Sequence, residues 1–305
     1  MDDYFDFDHA KHVLNEYTKT RQSDKLVGPY LAYNKDSSVL KIWRASLPDN
    51  HDMSRMTYKD AETGDVMEAV LTVQGYILKK DLPPILSVPR KMNAARYLRQ
   101  AVTLAGLGTS IFESAIETVR GAHTHLARNY SAGRVTPWNP ERFRGQDILE
   151  ISNRYLTSRY RQSPSPVVAF QRGVDPKNIL ARLASDQYDH LEENQVMYYK
   201  LNDECRKFEI YDPSIFRTGD FVEANFSIFA FPTDNENCGM RLVLRTLALL
   251  DGGQSTRAEI RRKAATHVEP NEQASGSVPI IRKRTYYNED DSEAVSRSLK
   301  RMSTT

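Results

Sequence analysis

The alternation of apolar and polar residues changes period along this chain. His9 to Thr20 carries a short helical pattern. GPYLAYNKDSSVLKIWRASL then reads as a hairpin around Asn34-Lys35-Asp36-Ser37, with Val39, Lys41, Trp43 and Ala45 on one face of its second strand. Gly64 to Lys79 has apolar positions 66, 70, 73 and 77 that also fit a helix. Its richness in Val, Leu and Ile favours a strand, ended by Leu82-Pro83-Pro84.

The middle of the chain predicts helices over Lys91 to Ala105 and from Ser110 onward. Ser110 and Glu113 have the spacing of a capping box, and Phe112, Ala115, Ile116, Val119, Ala122, His123 and Leu126 make one stripe. SAGRVTPWNP, residues 131–140, has the composition of a boundary loop. Asp175 and Pro176 mark the start of a short helix through Ile179, Leu180 and Leu183. Beyond it the period is two. Gln195 to Lys200 with Arg206 to Tyr211, and Gly219 to Phe231 with Met240 to Leu250, predict two hairpins forming a four-stranded antiparallel meander.

The expected fold class is therefore α+β, with antiparallel sheets at both ends and a helical middle. The expected division is a mainly β lobe at 1–88, a helical segment at 89–130, an α+β lobe at 131–251 and a tail at 252–305. The tail begins GGQSTRAEIRRKAATHVEPNEQASGS, without an aromatic residue. Ordering it costs about 1–2 kcal/mol of backbone entropy per residue with little burial to offset that, so disorder is expected.

Two segments echo each other. Gly64-Asp65-Val66-Met67-Glu68-Ala69-Val70-Leu71-Thr72-Val73 aligns without gaps to Gly219-Asp220-Phe221-Val222-Glu223-Ala224-Asn225-Phe226-Ser227-Ile228. Gly-Asp opening a strand after a tight turn accounts for the match; duplication and coincidence both remain as its origin.

Composition adds little until it is divided. The 305 residues hold 42 Lys and Arg against 40 Asp and Glu, too balanced for nucleic-acid binding by bulk charge. Ten of the basic and seven of the acidic residues fall in 252–305, so any electrostatic address lies there. The mean hydropathy of -0.59 agrees with a solvated tail. Only Cys205 and Cys238 occur, and MDDYFDFDH lacks the order of a secretory signal, so an intracellular protein, nuclear or cytoplasmic, is expected. Met240 to Leu250, the most apolar run, carries Arg241 and Arg245 and is about half of the ~20 residues a membrane span needs.

Candidate chemistry is sparse. Phosphate-loop, serine-hydrolase, zincin and thioredoxin-like motifs are absent, and no catalytic residue, metal ligand or cofactor is assigned. Gly106-Leu107-Gly108-Thr109-Ser110 is the nearest approach to a phosphate cradle but reads as an ordinary helix start. His9 and His12 read as solvated and His123 as a boundary histidine. Asp220 and Glu223 are the candidate carboxylates for a pocket between sheet and helices, although odd spacing puts the two on opposite faces of a strand. Cys205 and Cys238 fall in loops expected at one end of the meander. Phe229 and Phe231 are expected under the central helices; stacking on unpaired bases beside Arg241 and Arg245 is the alternative. The basic clusters Arg261-Arg262-Lys263 and Arg282-Lys283-Arg284 fit nuclear import, phosphate contact or a solubilising tail.

FRTGDFVEA, residues 216–224, followed by Ser227, Phe229 and MRLVLRTLALLDG, residues 240–252, resembles a family of multi-copy proteins from mushroom-forming fungi. Its members read like FRxGDIVEVQISFVAVP and MxVVLRSLALLDG. MTYKDAETGDVMEAVLTVQG and IIRKRTYYNEDD are also similar to the family. The resemblance implies no activity and no catalytic residues. The family's multiplicity is similar to that of genes travelling with mobile elements, which implies a nuclear or nucleic-acid context. The expected function is thus a non-enzymatic interaction protein that meets nucleic acid through its tail. A cryptic enzyme or small-ligand protein and a partner-dependent scaffold are the alternatives.

Overall fold

The amphipathic lead forms helix α1, Phe7–Gln22, capped by Asp6, whose carboxylate accepts from the His9 amide. The computed structural model describes residues 1–23, 31–33, 44–46, 54–60, 62–87, 94–128, 130, 133–159, 165–184, 187–202, 204–205, 207–233 and 237–266. The expected hairpin turn at 34–37, with Val39, Lys41 and Trp43, lies outside them.

Both α-helices and a mixed, mostly antiparallel sheet are present, and residues 1–266 form one compact unit. The strands are β1 (Arg44–Ser46), β2 (Ser54–Lys59), β3 (Val66–Glu68), β4 (Val70–Asp81), β5 (Arg99–Ala105), β6 (Arg142–Phe143) and β7 (Gln146–Arg154). They continue with β8 (Thr157–Ser158), β9 (Tyr188–Asp189), β10 (Met197–Leu201), β11 (Phe208–Ile210), β12 (Phe221–Pro232) and β13 (Cys238–Asp251). One sheet runs in the order β11-β10-β13-β12-β4-β5-β7-β6, with β1, β2 and β3 attached beside β12. Strands from the first three expected segments thus enter one sheet.

The strand reading of Gly64 to Lys79 and both C-terminal hairpins hold, but the hairpins do not form a meander. β10 pairs with β13 in parallel, Tyr198 opposite Leu247, so β11 ends the sheet instead of lying beside β12. This also separates the cysteines. Parallel pairing sends the β10–β11 loop, with exposed Cys205, to the far end from buried Cys238 at the start of β13.

Lys91 to Ala105 is not a helix. Among the described residues of that span only α2, Ala94–Tyr97, is helical, and β5 follows. Gln100, Val102 and Leu104 alternate toward the core and lie opposite Asn153, Ile151 and Leu149 of β7. Its place between β4 and β7 overrides the helix preference of its Ala and Leu residues.

Helix α3, Ser110–Ala127, buries Phe112, Ala115, Ile116, Val119, Ala122 and Leu126, the expected stripe. They join Leu71, Val73, Val222, Phe226, Leu242 and Leu244 in the main core, each large side chain contributing about 1.5–3 kcal/mol. His123 is half-buried and its Nε2 lies 2.9 Å from the Thr136 carbonyl oxygen. The cap is one residue earlier than expected: Thr109 accepts from the Phe112 amide. A strand does precede the Gly106–Ser110 turn, yet the Thr109 hydroxyl donates back to the Gly106 carbonyl, as in an ordinary helix start.

Helix α4, Ile179–Ala184, starts as expected, with Asp175 accepting from the Ile179 and Ala181 amides. The ordered fold extends past residue 252 as helix α5, Gly253–Thr266. Ala258 packs with Phe5, Tyr76 and Leu250, which supplies the burial that composition alone does not reveal. Residues 267–305 lie outside the described residues.

The echo segments pair with each other. Phe226 lies opposite Leu71, Asn225 opposite Thr72 and Ser227 opposite Val70, so the two copies meet about a local two-fold at their own eighth positions. Gly64 and Gly219 have φ of 76° and 90°, the left-handed turn that the Gly-Asp opening requires.

Candidate anion-binding site

On β12 one face, Val222, Ala224, Phe226, Ile228 and Ala230, goes to the α3 core. The other face carries the site. Its first residue, Phe221, packs with Tyr76 and Leu14 under α1. Next, Glu223 takes Arg21 of α1 in a two-point contact, 2.9 Å to Nε and 2.5 Å to Nη2, and accepts from Gln74 Nε2 at 2.7 Å. Farther along, Ser227 bonds Glu68, which also holds Arg245 at 2.8 Å from Nε. The two echo glutamates each clamp an arginine, and they form no carboxylate pair.

The row then becomes aromatic. Phe229 is buried with Arg55 and Arg245 over its ring, and half-buried Phe231 has Arg241 4.2 Å from its centroid. Neither lies under the central helices, because α3 occupies the opposite face of β12.

The sheet curls until β7 comes against β13, where Asn153 Nδ2 donates to the Leu244 carbonyl at 3.2 Å. Beside this seam opens a cavity of about 440 Å³, lined among others by Arg96, Arg99, Arg154, Arg241, Glu193, Asn194, Phe229 and Phe231. Among the described lining residues are four arginines and one carboxylate. Arg99 and Arg154 lie directly opposite on β5 and β7, a like-charge cross-strand pair that destabilises a sheet. Glu193 answers only one of them, binding Arg154 at 2.8 Å while accepting from Thr157.

Among the described residues Arg99 makes no hydrogen bond or ion pair. Burial lowers its guanidinium pKa to about 10, with Arg241 and Arg154 adding to the effect. Asn194 is fully buried; its Oδ1 accepts from the Leu191 amide and Thr157, which fixes the amide orientation and leaves Nδ2 as a donor without a partner among the described residues. The surplus in this pocket is of donors and positive charge, a setting that takes an oxyanion, with guanidinium forks suited to phosphate.

The expected site residues fall elsewhere. Asp220 is buried, accepting from the Arg217 amide at 2.6 Å and Ser255 Oγ at 2.5 Å, and burial raises its carboxyl pKa against those bonds. It ties the Gly219 turn to α5, and Glu223 ties β12 to α1; neither carboxylate lines the 440 Å³ cavity. Arg261, Arg262 and Lys263 sit on α5, with Arg262 on Asp2 at 2.6 Å, Arg261 on Asp6 at 3.7 Å and Lys263 on Glu259 at 2.7 Å. Acidic residues of the N-terminus and the helix thus answer this cluster. Arg282, Lys283 and Arg284 lie outside the described residues.

Of the pocket residues, Phe229, Phe231 and Arg241 carry the signal visible in the sequence. Arg99 and Arg154 meet only through strand register. Among the described residues there is no cluster of His, Cys, Asp and Glu able to hold a metal ion, and no helix is long and apolar enough to cross a membrane. No protein-family model matches the chain, and no curated protein matches it.

Proposed function

We propose that this is a non-enzymatic interaction protein that associates with single-stranded nucleic acid, with the arginine and aromatic pocket as its principal contact and the tail as an accessory one. The observation that carries the reading is the convergence of Arg99, Arg154 and Arg241 beside Phe229 and Phe231 in one open cavity. Phosphates need positive donors, and bases exposed on a single strand stack on aromatic rings and on guanidinium planes, so such a wall serves both halves of a nucleotide. Tyr97, largely exposed at the rim, adds a further stacking surface. The enzyme alternative loses its named carboxylates, because Asp220 and Glu223 are consumed by contacts that hold helices to the sheet.

The test is fluorescence-anisotropy binding of the full chain to single-stranded DNA, duplex DNA and RNA at low and physiological salt. A variant with Arg99→Gln and Arg241→Gln is expected to lose most of the single-strand binding, and one with Arg282, Lys283 and Arg284 changed to Gln to lose less. Absence of binding by the unaltered chain at micromolar concentration removes the reading.

A further inference from the structure

We infer that the arginine pocket takes a terminal phosphomonoester carried by an aromatic base, a phosphorylated strand end or a free nucleotide, in preference to an internal phosphodiester. The inference rests on the nucleic-acid reading and narrows it to a ligand class.

Three features of the cavity point this way. An internal phosphodiester carries one negative charge and runs on at both ends, so its receptors are extended grooves; a terminal phosphate carries about 1.5–2 charges and three strong acceptor oxygens. Here four arginines against one carboxylate concentrate positive charge in one cavity of about 440 Å³, a volume in the small-molecule range. The charge is also unevenly matched. Arg154 is held by Glu193, Arg241 lies over Phe231, and Arg99, opposite Arg154 by strand register, makes no hydrogen bond or ion pair among the described residues, the charge of Glu150 alone favouring it. A dianion reaching Arg99 offsets the like-charge repulsion that the register creates.

The polar lining has the matching sense. The Asn194 amide nitrogen is a buried donor without an acceptor among the described residues, and Ser152 and Ser158 add hydroxyls. The Glu193 carboxylate is engaged by Arg154 and Thr157. Around this donor set stand Tyr97, Tyr188 and Phe231, so a phosphate held by Arg99 would leave its base among rings.

The experiment compares one fluorescent single strand bearing a 5′-phosphate, a 3′-phosphate or hydroxyls at both ends, with nucleoside monophosphate and nucleoside as competitors, on the full chain. At least one phosphorylated end is expected to bind about 10- to 100-fold more tightly than the hydroxyl strand, the value of a charge-assisted contact. The monophosphate should compete and the nucleoside should not. Arg99→Gln should bring the phosphorylated strand down to the hydroxyl strand, and Arg128→Gln, on the exposed end of α3, should leave the preference intact. If Arg99→Gln fails to fold, Arg99→Lys keeps the charge without the fork and should lose part of the preference.

Equal, Arg99-dependent binding of all strands overturns the terminal-phosphate inference while the nucleic-acid reading stands. Binding of the monophosphate with no strand bound supports the phosphomonoester site and removes the nucleic-acid reading. Binding of no probe removes both.

Discussion

Replacing Arg21 by leucine should expose how deeply the second echo copy is committed to structure. Glu223 is 6% exposed and its charge is met by Arg21 from two nitrogens and by Gln74 from a third. Removing one partner of a buried pair costs about 3–5 kcal/mol, because the remaining charge stays out of water. With a urea slope of about 3 kcal/mol/M this lowers the midpoint by roughly 1–1.7 M.

The structure also prescribes the repair. Gln74 lies directly opposite Glu223, and its Oε1 is buried without a partner among the described residues. Adding Glu223→Gln to Arg21→Leu removes the stranded charge and supplies an amide donor to that oxygen, a reciprocal pair of amides across two strands. The double variant should regain more than half of the loss. Urea unfolding followed by circular dichroism and tryptophan fluorescence measures both. A single variant within about 1 kcal/mol of the parent, or a double variant less stable than the single, refutes the reasoning.

Other consequences are simpler to test. Because burial raises the Asp220 carboxyl pKa, the folded chain holds that proton to higher pH than the unfolded chain. Its contribution is present in acid and lost as pH rises from about 4, so the stability of Asp220→Asn relative to the parent should improve between pH 4 and 7. Urea midpoints across that range check this, and a constant difference contradicts it. Gly219→Ala forces a side chain into a φ of 90°, with its Cβ 3.2 Å from the Phe5 ring, and should cost about 1–2 kcal/mol or more. Gly64→Ala, at a φ of 76° with 3.8 Å to Lys59, should cost less in the same melting experiment. Thr109→Ala should cost about 1 kcal/mol by removing the α3 cap, and Ser110→Ala should stay within about 0.5 kcal/mol.

The two C-terminal hairpins, the α1 and α3 patterns and the Asp175 helix start were legible because each rests on local periodicity or a local cap. β5 was not, since Ala101, Leu104 and Ala105 suit a helix and only pairing with β4 and β7 decides between the two. The parallel union of β10 and β13 is invisible for the same reason: adjacency in sequence favours a meander, and the curl of the sheet chose otherwise. In the candidate site the aromatic residues and Arg241 on the β12–β13 hairpin were readable from alternation. Arg99 and Arg154, 55 positions apart in the chain, come together by the β5–β7 register. Asp220 and Glu223 stood out as repeated carboxylates; the glutamates Glu68 and Glu223 each clamp an arginine, whereas Asp65 is exposed and Asp220 buried. The α5 cluster looked like a tail because its stabilising partners, Asp2, Asp6 and Phe5, lie at the other end of the chain.

The most direct test of the account is the salt dependence of single-strand binding by the full chain, with and without Arg99. Each strand phosphate neutralised by the pocket or by the tail adds roughly −0.7 to the slope of log K against log salt. Arg99→Gln should reduce the slope by about 0.7 and weaken binding at every salt concentration. A slope untouched by Arg99→Gln but abolished by changing Arg282, Lys283 and Arg284 to Gln would place the contact in the tail and contradict the pocket.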